Sequence, residues 1–279
     1  MESLPSNTDL SKTLCDPSKW CGILNLDGKY VKILERKYPN KKSIPYLWGT
    51  DFLSHDFPLG ILVPSENEKA FQRYFQTLKE MNYPLRVVVC DAVSPLKSAL
   101  LKVFSDAKIQ LCHTHYLENI RQALHTRTEA TYRHFFNSLV KWIFRLPKNK
   151  QEREIGFARV YHTHAKDYPI LEAILFHVHE QEEELFLYQS IQNCPATNNI
   201  IESFNSHLKG RLKTTKGVQT FHSAEIFLNA WLLRRRTSPF TDCDHPFKHL
   251  NGKAPLQMTI KDNLPWPEIC GIQAPKTER

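Results

Sequence analysis

Residues 85–119, LRVVVCDAVSPLKSALLKVFSDAKIQLCHTHYLEN, decide the fold of this chain. The apolar run Val87–Val89 predicts a short buried strand that ends beside Asp91. Residues 94–104 have helical spacing, and residues 107–112 predict a second strand. A strand, a helix and a second strand form a βαβ unit with parallel strands. Because α/β proteins place their chemistry at the C-terminal ends of such strands, the carboxylate of Asp91 is a candidate functional group.

The chain changes character on either side of this unit. Strand patterns at 21–34, 44–53 and 59–63 predict an antiparallel meander, followed by a helix at 66–81. Beyond residue 116 the strand signal disappears and amphipathic helical patterns replace it. We therefore predict an α/β fold, a mixed sheet flanked by helices, with an all-helical insertion. The predicted segments are a loose leader (1–19), a first part of the core (20–115), a helical insertion (116–195), a second part of the core (196–238) and a C-terminal extension (239–279).

Two further acids have sequence contexts that complement Asp91. Asp27 lies in the alternating pattern LDGKYVKI, which predicts a strand, and Glu202 lies in NNIIESFN, which predicts the start of a helix. Three carboxylates in these settings indicate a site for two Mg²⁺ or Mn²⁺ ions, because such hard cations prefer oxygen ligands. Asp51 and Asp56 are alternative first acids. We rank them below Asp27 because one lies on the second strand and the other in a turn.

Each acid also has an ordinary structural explanation. An Asp beside a Gly, as at Asp27, is common in turns. Asp91 is placed to cap the helix that begins near Ser94. Glu202 belongs to an amphipathic helix whose polar face is expected to meet water. The three contexts together favour the metal site over these separate explanations.

Composition and helical projection predict contact with a polyanion. The chain has 37 Lys and Arg against 29 Asp and Glu, a formal charge of +8, so its surface should attract nucleic acid in a salt-dependent way. On a helix, Glu202 shares a face with Lys209 and Lys213, which would lead a phosphate toward metal at Glu202. The run 234–236 is either a second phosphate patch or a solvated helix end. The predicted phosphate-binding residues are Lys209, Arg211, Lys213, Lys216, Arg234, Arg235 and Arg236.

Five stretches, taken in order, form a specific set. They are LDGKYVKI, PSENEKAFQRYFQTLKE, VVVCDAVSPLKSALLKVF, AKIQLCHTHYLENI and NNIIESFNSHLKGRLKT. Together they resemble the DDE transposases of the Mutator-like group. The resemblance implies an RNase H-like (retroviral-integrase) fold and Mg²⁺- or Mn²⁺-dependent nicking of double-stranded DNA at transposon ends, followed by joining of the 3′-hydroxyl to target DNA. It also implies that Asp27, Asp91 and Glu202 bind the ions and that the chain acts as a homo-oligomer on DNA.

Cys112 and His115 form a Cys-x-x-His pair after the second strand of the βαβ unit. A closed structural zinc site needs four ligands, and no second pair follows at a familiar spacing, so we expect a structural use rather than zinc. The resemblance implies a place near the active site, where His115 would orient a strand end, a scissile phosphate or a metal-bound water. Two His-x-His pairs, at 162–164 and 177–179, point their rings apart on helices, so neither pair is expected to bind metal.

The start of the chain departs from the family pattern. Only 26 residues precede Asp27, too few for the DNA-binding region that usually comes before such a catalytic domain. We therefore expect a catalytic fragment, a truncated copy, or a chain whose insertion or partner recognises the DNA ends. The alternatives to a transposase are an RNase H-like nuclease and a non-catalytic DNA-binding protein derived from a transposase.

Cysteine usage and hydropathy predict the compartment. Seven scattered cysteines, with no secretory signal and no apolar run of membrane-spanning length, indicate a reduced intracellular protein without a membrane partner. The expected location is the cytoplasm or nucleoid, or the nucleus if the source is a eukaryote.

Overall fold

The computed structural model describes residues 4–34, 43–215, 217–262, 264 and 266. Five strands in these residues form one mixed sheet: β1 (Ile23–Val31), β2 (Ile44–Asp51), β3 (Gly60–Leu62), β4 (Val87–Cys90) and β5 (Lys108–Leu111). Their order in the sheet is β3-β2-β1-β4-β5. The predicted α/β class, with a mixed sheet and flanking helices, is confirmed.

The two halves of the sheet differ in strand direction. β1 pairs antiparallel with β2, and β2 antiparallel with β3, as the predicted meander requires. β4 and β5 run parallel, because the N–H of Lys108 donates to the carbonyl of Arg86 at one end and the N–H of Cys112 donates to the carbonyl of Cys90 at the other, each at 2.9 Å. The predicted βαβ unit is therefore present, with one helix between these two strands.

Helices account for most of the remaining regular structure. They are α1 (Asn7–Leu14), α2 (Glu68–Glu80), α3 (Ser94–Val103), α4 (His113–Ala123), α5 (Ala130–Leu139), α6 (Lys150–Val160), α7 (Pro169–Glu180), α8 (Glu182–Leu185), α9 (Asn199–Thr215) and α10 (Phe221–Thr237). π-helical turns extend α5 over Val140–Arg145 and α6 over Tyr161–Ala165. Within the described ranges, no helix is both long enough and apolar enough to cross a bilayer.

The chain divides into two compact units. The first comprises residues 1–88, 93–108 and 199–279. Its core includes one face of β1 and β2 together with the apolar faces of α9 and α10. The fully buried Trp48 illustrates the packing: its ring stacks on Phe57 at 5.3 Å between centroids and meets the edge of Trp231 at 5.2 Å. From the C-terminal extension, Phe240 and Leu250 are buried in the same core.

The beginning of the chain differs from the prediction of a loose leader. Residues Asn7–Leu14 form α1, which Ser6 caps by accepting a hydrogen bond from the N–H of Asp9. Leu10 is buried, and the hydroxyl of Ser11 donates to the carbonyl of Pro58 at 2.8 Å. This polar segment is folded because its buried polar groups have hydrogen-bond partners about 50 residues away in the sequence. Local sequence patterns do not reveal such partners.

The second unit comprises residues 89–92 and 109–198, and no strand follows β5 within it. Its longer segment therefore begins before the predicted start of the helical insertion at 116 and ends after its predicted end at 195. Gln110 explains part of the difference, because its side chain donates to the carbonyl of Leu185 at 2.7 Å and accepts from the N–H of Tyr188 at 2.8 Å. Gly156 allows α6 to pack closely against the π-helical turn that contains Trp142, since a Cβ at this position would lie 2.1 Å from the carbonyl oxygen of Trp142.

Candidate active site

Asp27 lies in the middle of β1, half-buried, and not in a turn. Its Oδ1 accepts a hydrogen bond from the N–H of Gly28 at 2.7 Å, and its Oδ2 accepts one from the amide of Asn205 on α9. Asn205 is buried, and its Oδ1 accepts from the indole N–H of Trp48 at 2.9 Å. Because an indole N–H can only donate, this bond fixes the amide so that its NH₂ group faces Asp27.

Asn205 also relates Glu202 to Asp27. Glu202 lies in the first turn of α9, partly buried, and one helical turn before Asn205 on the same face. The neighbouring face of α9 carries the buried Ile201 and Leu208, which pack into the core with residues of β1 and β2. Apolar packing therefore places the helix, and the Asn205 amide sets its register against Asp27.

Asp91 belongs to the second unit, where it directly follows β4. It does not cap α3, because Val93 occupies the N-cap position and no side-chain capping bond is present there. Its Oδ1 lies 2.6 Å from Nδ1 of His115, in the first turn of α4, and the two side chains are 37% and 36% exposed. Asp91, Cys112 and His115 each offer one potential metal-ligand atom, and these three atoms lie within 4.8 Å of one another.

The pairing with Asp91 changes the titration of His115. A hydrogen bond to the Asp91 carboxylate, followed by one to Cys112, raises the pKa of His115 to about 11, against the opposing effect of partial burial. The imidazole is therefore a cation at neutral pH. A protonated His115 holds Asp91 by charge and does not accept a proton there.

The two alternative first acids are buried structural residues. Asp51 accepts hydrogen bonds from the hydroxyls of Ser54 and Tyr83, each at 2.8 Å, and burial raises the pKa of its carboxyl despite these bonds. Asp56 is fully buried and binds the guanidinium of Arg236 through both oxygens, at 2.7 Å each. Neither is open to a substrate.

Arg236 corrects one of the predicted phosphate contacts. Its side chain is 0% exposed and also donates to Asn7 at 2.9 Å and Ser11 at 2.8 Å. Although burial by itself disfavours the charged form, the Asp56 carboxylate outweighs it and the pKa of Arg236 is raised. The prediction that Arg236 binds phosphate is therefore wrong: its hydrogen bonds to Asn7 and Ser11 fasten α1 to α10, and its charge is paired with the buried Asp56.

Four lysines line one cleft in the first unit. Lys209 and Lys213 of α9 meet Lys29 of β1 and Lys32 just beyond it around a volume of about 340 Å³, which we call the lysine groove. Gly28, the neighbour of Asp27, also lines this groove. The predicted pair of lysines is thus joined by two that the sequence analysis did not single out.

The remaining predicted cations divide between a second cleft and the part of the chain outside the described residues. Arg211, Arg234 and Arg235 line a cleft of about 520 Å³ together with His207, which we call the arginine groove. The guanidinium of Arg235 also lies over the rings of Phe204 and Phe240, at 4.9 and 5.2 Å. The predicted Lys216 lies outside the described residues.

Asn205, Lys29 and Lys32 are the residues of these sites that sequence reasoning missed. Helical projection places Asn205 on the face of Glu202, and the strand pattern around Asp27 contains both lysines. These signals were present, but an amide and two lysines acquire a role only when α9 is placed against β1.

Comparison with curated proteins gives two bacterial relatives. The transposase for insertion sequence element IS256 in transposon Tn4001 of Staphylococcus aureus is 26% identical over 215 residues, which are 75% of this chain and 54% of the relative. The protein of the same description from Enterococcus faecalis has the same identity and coverage. This chain spans about half the length of the curated relatives it matches.

Comparison with protein families gives a match over most of the described structure. The family described as "Transposase, Mutator family" matches residues 19–230, a range that contains Asp27, Asp91, His115 and Glu202. With its mixed sheet and the IS256 transposases as relatives, this chain belongs to the Mutator family of transposases.

Proposed function

We propose that this chain is the catalytic domain of a DDE transposase with an RNase H-like fold. It cuts DNA at the ends of a mobile element and joins the freed 3′-hydroxyl to target DNA. The observation that carries the proposal is the hydrogen bond from Asn205 to Asp27, because Asn205 lies one helical turn after Glu202 on α9 and so connects the two acids. Membership of the Mutator family and two relatives named as transposases support the same reaction.

Asp27, Asp91 and Glu202 are the proposed ligands of two Mg²⁺ or Mn²⁺ ions. The donor set fits these ions, because all three side chains offer carboxylate oxygens and both ions prefer oxygen. When bound, such ions activate the attacking oxygen and stabilise the leaving oxygen of a phosphodiester. The protein's own contribution is to hold the acids: Gly28 and Asn205 orient Asp27, and His115 orients Asp91.

His115 acts in this proposal as a positioning residue. Its Nδ1 lies 2.6 Å from Oδ1 of the Asp91 carboxylate, and this pairing raises the pKa of the imidazole. Outer-shell partners of this kind fix the orientation of a ligating carboxylate. His115 is therefore expected to affect the metal requirement of the reaction.

The lysine and arginine grooves are the proposed contacts for DNA phosphates. Lys29, Lys32, Lys209 and Lys213 put four positive charges around one cleft beside Asp27, and such contacts hold and orient a duplex without reading its sequence. Double-stranded DNA, both element ends and target, is the proposed partner, and the chain is proposed to act as a homo-oligomer on paired ends. Its proposed location is the cytoplasm or nucleoid, where that DNA is found.

The test is strand transfer with precleaved DNA ends that carry a free 3′-hydroxyl, taken from the flanks of the element. Precleaved ends at high concentration reduce the need for a separate end-binding region. Products are measured with Mg²⁺ or Mn²⁺ for the wild type, Asp27→Asn, Asp91→Asn and Glu202→Gln. Asp106→Asn and Glu183→Gln are matched controls, because both residues are exposed acids outside the site.

The outcomes separate three kinds of protein. Joined products that need the metal and are lost only in the three site variants support the transposase. Cutting of the target DNA or within the end DNA, without any joined product, would identify a nuclease on the same site. Salt-sensitive DNA binding without any product, unchanged in the site variants, would overturn the catalytic proposal in favour of a DNA-binding protein.

A further inference from the structure

A second cluster of metal-ligating side chains lies in the second unit. Glu154 of α6, His179 of α7 and Glu182 of α8 each offer one ligand atom, and these atoms lie within 4.8 Å of one another. None of these residues was a candidate from the sequence, and none belongs to the proposed catalytic acids. His179 reaches the cluster without the other member of its His-x-His pair, His177, which instead stacks on the ring of Tyr116.

The spacing within the cluster suits a tetrahedral ion. Nδ1 of His179 lies 3.5 Å from Oε2 of Glu182. Zinc–nitrogen and zinc–oxygen bonds of about 2.0–2.2 Å place neighbouring ligand atoms of a tetrahedron about 3.4 Å apart. Two of the three ligand atoms are therefore already separated as such an ion requires, and Glu154 is exposed, so its side chain can turn toward the same point.

Glu182 is held in place by partners that leave its second oxygen facing His179. Its side chain is 8% exposed, and Oε1 accepts a hydrogen bond from Nε of Arg153 at 2.8 Å and lies 2.8 Å from Nη2 of the same guanidinium. The guanidinium of Arg153 in turn lies 4.2 Å from the ring centre of Phe186. Metal-ligating carboxylates are commonly oriented by outer-shell hydrogen bonds of this kind, so the site is preorganised on the Glu182 side.

An open cleft gives an ion access to the cluster. Glu154 and His179 line a cleft of about 370 Å³, to which His162 and Glu172 also contribute. The ring of Phe157 packs edge-on against His179 at 5.2 Å and limits its rotation. Two carboxylates against one guanidinium leave a net negative charge at the cluster, and Glu172 adds to it, so the cleft favours a cation.

We propose that Glu154, His179 and Glu182 bind a divalent transition-metal ion of the Zn²⁺ type. An imidazole among the ligands selects Zn²⁺, Ni²⁺ or Cu²⁺ over Mg²⁺, which prefers oxygen alone. The ion links α6, α7 and α8, and so stabilises the second unit. This site is separate from the proposed catalytic ions and does not depend on them.

The test is calorimetric titration of the whole chain with Zn²⁺, together with the melting temperature with and without Zn²⁺. His179→Ala and Glu154→Gln change exposed residues, so both variants should fold. The wild type is expected to bind one Zn²⁺ that each variant loses or binds at least about 10-fold more weakly. The rise in Tm that Zn²⁺ gives the wild type should disappear with it.

His177→Ala is the matched control, an exposed histidine on the same helix outside the cluster. It is expected to keep both the bound Zn²⁺ and the rise in Tm. Equal Zn²⁺ binding by the wild type and His179→Ala would overturn the proposal. Absence of Zn²⁺ binding by the wild type would overturn it as well.

Co²⁺ distinguishes this site from the group formed by Asp91, Cys112 and His115. A Co²⁺ ion bound through Cys112 gives a thiolate-to-metal charge-transfer band, whereas one bound by His179 and two glutamates does not. The expected result is a Co²⁺ spectrum without this band that disappears in His179→Ala. A spectrum that always carries the thiolate band and is unchanged by His179→Ala would refute the proposal.

Discussion

The two compact units hold their candidate acids by different means. In the first unit a neutral amide, Asn205, and a backbone N–H orient Asp27. In the second unit a charged imidazole, His115, orients Asp91 at 2.6 Å. An amide does not titrate, whereas an imidazole does, so only in the second arrangement does the charge of the partner depend on pH. Equivalent carboxylates can thus be positioned by a dipole or by a charge, with different sensitivity to conditions.

The buried arginine–carboxylate pairs of the two units also differ, in how completely each pair is enclosed. Arg236 and Asp56 are both 0% exposed, and the remaining donors of Arg236 are bound by Asn7, Ser11 and Cys15. Arg153 and Glu182 are 7% and 8% exposed, and Glu182 keeps one oxygen toward His179 beside an open cleft. The first pair is fully enclosed and serves only the fold, whereas the second holds Glu182 next to the exposed side chain of His179.

The largest expected effect is on the closed pair. Arg236→Ala should lower the free energy of unfolding by about 3–5 kcal/mol, because it leaves Asp56 buried without its counter-charge. The measurement is denaturant unfolding. Arg234→Ala, two residues earlier on α10, is the control and should stay within about 0.5 kcal/mol of the wild type. An equal loss of unfolding free energy in both variants would mean that the Arg236–Asp56 pair does not stabilise the fold more than an exposed arginine does.

Arg153→Ala, measured in the same way, sharpens the comparison of the pairs. It should cost less than Arg236→Ala, because Glu182 lies next to the cleft and can be hydrated when its partner is removed. If Arg153→Ala lowered the free energy of unfolding more than Arg236→Ala, the distinction between an enclosed and an open pair would be wrong.

The Asn205 bridge is expected to give the next effect. Asn205→Ala removes the partner of the Trp48 indole and one partner of Asp27, and should lower the free energy of unfolding by about 1–3 kcal/mol. The exposed neighbour Ser206→Ala is the control and should change it by less than about 0.5 kcal/mol. Asn205→Asp should preserve the size of the side chain but place a second carboxylate against Asp27, and so should also lower the free energy of unfolding through repulsion between the two like charges.

The charged arrangement of the second unit is expected to show in the titration of His115. Because its pKa is raised from 6.5 to about 11, the stabilisation by the Asp91 pair is complete below about pH 6.5 and is lost as the pH rises through about 11. NMR of the imidazole should find it protonated at pH 8 in the wild type. In Asp91→Asn it should be mostly neutral at that pH. A neutral His115 at pH 8 in the wild type would mean that Asp91, like Asp27, is held by an uncharged partner.

The smallest expected effect concerns the lysine groove. Lys29→Ala should weaken DNA binding and reduce the slope of log K against log salt by about 1, because one phosphate contact is lost. Lys97→Ala, a change of an exposed lysine on α3 outside both grooves, should leave the slope unchanged. The measurement is equilibrium DNA binding over a range of salt concentrations. Equal slopes for the two variants would remove Lys29 from the interface.

Prediction from sequence succeeded where the signal is local. The valines before Asp91 and the spacing of residues 94–104 correspond to β4 and α3 within one or two residues, because strand and helix periodicities are properties of short segments. It failed for α1 and for Arg236. Both depend on buried polar bonds to distant residues, and Arg236 meets Asp56 across 180 positions in the chain.

The site shows the same division. Asp27 and Glu202 were recognisable as candidates because each lies in a characteristic strand or helix pattern. Their connection through Asn205 was not, because that bond spans 178 positions. The cluster of Glu154, His179 and Glu182 was also hidden, since its ligands come from three helices and no short motif contains them.

The sequence by itself determined the α/β class, the order of meander, βαβ unit and helical segment, the candidate acids and the resemblance to Mutator-like transposases. These features follow from periodicity, turn residues and short motifs, all of which are local. The tertiary structure alone decided that Arg236 is buried, that Asn205 orients Asp27, that four lysines share one groove, and that His179 meets two glutamates. These contacts join residues that are far apart in the chain, and only the packing of complete helices and strands brings such residues within bonding distance.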